Sequence, residues 1–122
     1  MNVTLRAISA YGKNNTPLRT NRGIEYEVFA RVTRSLTEAL NADVTEFPKL
    51  VEALHANRQL WNTLAADVAD VDNALPEMLR AQIFYLAEFV NFHTSKALAG
   101  NATVSALLDV NLSVMRGLSL KG

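Results

Sequence analysis

Residues 80–95 read RAQIFYLAEFVNFHTS, and the way this stretch winds decides the fold. Phe84, Tyr85, Phe89 and Phe92 surround a His93-Thr94-Ser95 run, so the stretch is either a nucleophile with its base or one side of a packed helix. Its apolar residues recur at three and four, the helical period. Successive residues on a helix stand about 100° apart, which sends His93, Thr94 and Ser95 in three directions. A nucleophile needs its base within hydrogen-bond reach and a third group to orient that base. The positions one turn from His93 are Phe89, Val90, Lys96 and Ala97, and none brings a carboxylate. The helical reading therefore stands, His93 packs or caps at a bundle surface, and no enzyme is expected.

The same winding gives this helix two apolar faces. Leu79, Ile83, Leu86, Ala87, Val90 and Ala97 form one. Tyr85, Phe89 and Phe92, with Ala81, lie nearly opposite, across a polar edge of Arg80, Glu88, Asn91 and Ser95. A helix apolar on both sides is central in its bundle or keeps one face for a partner. In a small bundle the central position is the simpler expectation. Aromatic side chains at this spacing also suit a groove for an amphipathic helix, which makes Tyr85, Phe89 and Phe92 the candidate partner-binding residues.

Outward from this helix the period continues. A stripe of Ile24, Val28, Val32, Leu36 and Ala39, widened by Phe29 and Leu40, predicts a first helix over about 24–40. Asp43 followed by Glu46 has the spacing of a capping box and opens a second helix reaching about residue 69, with a stripe of Phe47, Leu50, Leu54, Trp61, Leu64 and Val68. Pro76 suits the first turn of the third helix, and Gly100 suits its C-terminal cap. Val104, Leu107, Leu108, Val114, Met115 and then Leu118 mark a fourth helix over about 103–115. Short loops make sequential helices antiparallel. The expectation is a single all-α domain over residues 1–122, a small bundle of about four helices. Its N-terminal arm, residues 1–23, holds a short helix at 3–11.

Two stripes contain an amide where an apolar residue is due: Asn57 between Leu54 and Trp61, and Asn111 between Leu107 and Met115. A buried amide without hydrogen-bond partners costs about 1–3 kcal/mol, so both are read as register-setting contacts between helices. Arg58, beside Trp61, is expected to stack on an indole or to pair with a carboxylate.

The chain is 122 residues long, 49% hydrophobic and 20% charged, which is enough for a core without staples. It has no cysteine, so disulfides and thiolate metal sites are excluded. His55 and His93 are the only histidines, and neither has a second histidine one turn away; no metal, cofactor or phosphate loop is expected. The first residues lack the apolar run of a signal peptide and no later stretch has the length of a membrane span, so a cytoplasmic protein is expected. Net charge is zero, yet residues up to Arg34 hold six basic against two acidic residues, and the rest six against ten. Such a basic third could meet an anionic partner, but zero net charge makes nucleic acid a secondary reading.

Four segments, IEYEVFARVTRSL, NRQLWNTLAAD, LPEMLRAQIFYLAEFVNFHTS and LLDVNLSVMRGL, resemble in order and spacing the flagellar biosynthesis regulator FlaF family of alphaproteobacteria. The resemblance covers about residues 24–118. Its most specific pieces are Asn57-Arg58 with Leu60-Trp61, the run Leu79 to Ile83, His93-Thr94-Ser95, and Asp109 with Asn111. It implies a cytoplasmic helical protein, not an enzyme, needed for flagellin production or export. In that role it would work opposite the regulator FlbT and bind flagellin as an export chaperone. The alternative is post-transcriptional control of flagellin messenger RNA, direct or through FlbT.

Overall fold

In the computed structural model, which describes residues 26–42 and 44–121, the first apolar stripe winds into α1 (Tyr26–Leu40). Its buried line is Phe29, Thr33, Leu36 and Ala39. This is rotated from the expected line, with Val28 and Val32 only partly buried at its edge and Leu40 exposed. The cause is Thr33, whose hydroxyl accepts a hydrogen bond from Asn111 Nδ2 at 3.0 Å and so faces the interior.

A 3-10 turn at Val44–Glu46 leads into α2 (Phe47–Ala69), with Pro48 in the first turn where its missing N–H costs nothing. Asp43, the first half of the expected capping box, lies outside the described residues, and Glu46 caps α2 without a side-chain hydrogen bond. Phe47, expected in the stripe, is 53% exposed because it opens the helix at the rim. The buried line runs from Ala53 through Leu54, Asn57, Leu60, Trp61 and Leu64 to Val68. At its centre Trp61 is fully buried and meets the Phe29 ring edge-on, 5.7 Å between centroids.

The α2–α3 link is a chain of side-chain turns. Asp70 Oδ1 accepts from the Asp72 N–H at 2.8 Å, Asn73 Oδ1 from the Leu75 N–H at 2.9 Å, and buried Asn73 Nδ2 donates to the Asp67 carbonyl at 3.0 Å. Pro76 stands one residue ahead of α3 (Glu77–Leu98), as its N-cap and not inside the first turn. Gly100 follows the Ala99 C-cap with φ +82, and the N–H groups of Gly100 and Asn101 donate to Ala97 and Lys96 carbonyls at 3.0 and 2.8 Å. These are the paired bonds of a Schellman cap, which needs a left-handed residue. α4 (Ser105–Lys121) then runs past the expected stop near Met115. The expected helix at 3–11 and the rest of the arm lie outside the described residues.

Four α-helices and no strand make up the described residues, an all-α bundle. The widest seam is α2 against α3, followed by α1 against α2 and α1 against α4, while α3 and α4 touch narrowly. α3 is therefore not the central helix. It buries Ala87, Val90 and Thr94 and turns its opposite face outward.

Candidate partner-binding site

Two polar seams and one open face define the site. In the core, Asn111 Oδ1 accepts from Trp61 Nε1 at 2.9 Å, and Asn111 Nδ2 donates to Asn57 Oδ1 at 2.8 Å as well as to Thr33. Asn57, Trp61 and Asn111 are fully buried, so three helices meet around one amide whose oxygen and both N–H groups are engaged. The amides that interrupt the apolar stripes thus meet each other. Thr33 was not among the residues singled out, since threonine on a helix stripe carries no pattern of its own.

The second seam joins α2 to α3. Arg58 makes neither of its expected contacts: Nη2 donates to the Asn91 carbonyl at 2.8 Å and to Ser95 Oγ at 2.7 Å. Asn91 Nδ2 donates to Asn62 Oδ1 at 2.8 Å and to the Ala87 carbonyl at 3.0 Å. The polar edge of α3 was the legible signal for this seam, but its partners on α2 were not. The His93-Thr94-Ser95 run divides as the helical winding requires. His93 Nε2 donates to the Thr103 carbonyl at 2.7 Å, buried Thr94 Oγ1 to the Val90 carbonyl at 2.6 Å, and Ser95 Oγ receives Arg58.

On the outward side of α3, Tyr85 is 68% and Phe92 66% exposed, with Met78 and Phe84 exposed beside them. Lys96 Nζ sits 5.3 Å from the Phe92 ring centroid, a cation–π contact. Phe89 does not share this openness. It is partly buried against the core and stacked on His93, 5.2 Å between centroids. Phe84 and Phe92 also line an open groove of about 720 Å³ between α2 and α3, with Ala65, Ala87, Arg58, Glu88, Asn91 and Ser95. Among the described residues no three His, Cys, Asp or Glu side chains gather, and no helix is long and apolar enough to cross a membrane.

The arrangement defines a small all-α bundle whose interior polar groups tie helices together and whose α3 carries four of the eight exposed large apolar side chains of the described residues, Met78, Phe84, Tyr85 and Phe92, the others being Leu40, Phe47, Val71 and Leu112. The family described as Flagellar protein FlaF matches residues 7–118. The chain belongs to that family, and its role lies in flagellar biogenesis. The match starts within the N-terminal arm, ahead of the segments that carry the sequence resemblance. No curated protein and no solved structure gives a match.

Proposed function

We propose that this protein is a cytoplasmic export chaperone for flagellin, binding it through the outer face of α3 and so promoting its synthesis and secretion. The observation that carries this reading is the exposure of Met78, Phe84, Tyr85 and Phe92 together on one helix. Large apolar side chains collected on one face, beside a groove, are what an amphipathic partner helix buries. Family membership supplies the flagellar setting. Catalysis plays no part in this reading, and neither does a metal or cofactor.

The test is calorimetric titration of flagellin into the protein and into a Tyr85→Ser/Phe92→Ser double variant. Phe89 is left in place because it supports the core. Both substituted side chains are mostly solvent-exposed, so the variant keeps its helical circular dichroism while flagellin affinity falls at least about tenfold. Undiminished binding by the folded double variant removes the outer face of α3 as the site.

A further inference from the structure

We propose that Arg58 reads a carboxylate: the α2–α3 groove takes an amphipathic partner helix that carries an Asp or Glu among its apolar residues. This inference rests on the partner-binding reading above and adds a specificity-determining residue to it. Arg58 lines the groove and is held from one side, by the Asn91 carbonyl and Ser95 Oγ, so its position is fixed before any partner arrives. Both of those acceptors are uncharged. Nε is buried without a hydrogen-bond partner. Nη1 makes no hydrogen bond within the protein and, unlike Nε, is open to solvent.

A guanidinium whose Nε is buried and whose only contacts are neutral acceptors is a charge without its counter-ion. An incoming carboxylate supplies the missing acceptor through a charge-assisted hydrogen bond, stronger than the neutral ones already made. The apolar walls, Phe84, Phe92, Ala65 and Ala87, bury the flanking residues of the same helix. Glu88 lies in the groove too and repels a carboxylate placed near it. The occupant is a helix because the groove offers no strand edge: a helix satisfies its own backbone, whereas an extended segment would bury unpaired N–H and C=O groups.

The experiment titrates flagellin into the full chain, Arg58→Gln and Arg58→Lys, with circular dichroism on each. It then repeats the titration with flagellins in which single Asp or Glu residues of the terminal helices become Asn or Gln. The expected result is a loss of about tenfold or more for Arg58→Gln, a smaller loss for Arg58→Lys, and one flagellin carboxylate whose removal costs no more once Arg58 is Gln. Should Arg58→Gln fail to fold, the Arg58→Lys arm against the same flagellin set gives the coupling. Normal affinity in a folded Arg58 variant, or losses that add for every flagellin carboxylate, overturns the inference. In that case sensitivity to the Tyr85/Phe92 pair leaves the partner reading standing. Absence of any flagellin binding by the unaltered protein removes both.

Discussion

Asn111 concentrates more of the fold on one side chain than any apolar residue does. It satisfies Trp61, Asn57 and Thr33 at once from a fully buried position. Asn111→Leu leaves an indole N–H and two oxygens without partners, and the expected loss is about 2–4 kcal/mol in a urea titration. Asn57→Leu gives up one of these bonds and also removes Nδ2, which has no partner of its own. It should cost at least about 1 kcal/mol less than the Asn111 variant; the reverse order would contradict the network. At this scale the sequence showed where polar groups interrupt apolar stripes but not what they meet. Asn57 and Asn111 were visible as misfits in a period, whereas the acceptors of Arg58 are a backbone carbonyl and a serine hydroxyl on another helix. No spacing marks a carbonyl.

Helices were the most legible level, because a period of three and four survives any packing. Of the expected caps, the one at Gly100 was equally plain, while Pro76 stands one residue ahead of its helix and Glu46 makes no side-chain cap bond. Gly100 takes the left-handed position after α3, and a Cβ there would meet nothing within 4 Å, so only the backbone opposes a side chain. Gly100→Ala should therefore lower stability by about 1–2 kcal/mol, with Gly100→Asn costing less, read from thermal unfolding. An alanine variant as stable as the parent would show that the Schellman bonds contribute little. The sequence placed the α1 stripe off by one position because Val28 and Val32 outrank Thr33 in hydrophobicity, yet Thr33 has the partner inside. It ended α4 near Met115, whereas the helix continues through Gly117 to Lys121.

For the whole molecule, periodicity counts faces but does not say which neighbour covers each. That is why α3 could be read as central, and why Phe89 could not be told from Phe92. The core has one tryptophan, and it touches α1 through Phe29 and α4 through Asn111. Unfolding followed by Trp61 fluorescence should coincide with unfolding followed by far-ultraviolet circular dichroism, since α3 is anchored along the widest seam. A dichroism change that precedes the fluorescence change would mean that α3 detaches first. The same tryptophan bears on the order of synthesis. Bonds across the α2–α3 seam link residues 29 to 37 positions apart, whereas Asn111 reaches back 50 positions to Trp61 and 78 to Thr33. While the ribosome still holds α4, α2 and α3 can already pair, but the indole has no acceptor and one side of the core is bare. Of the four described helices the one made last seals the bundle, so a chain stalled or clipped ahead of it is the form most open to proteases and to clumping.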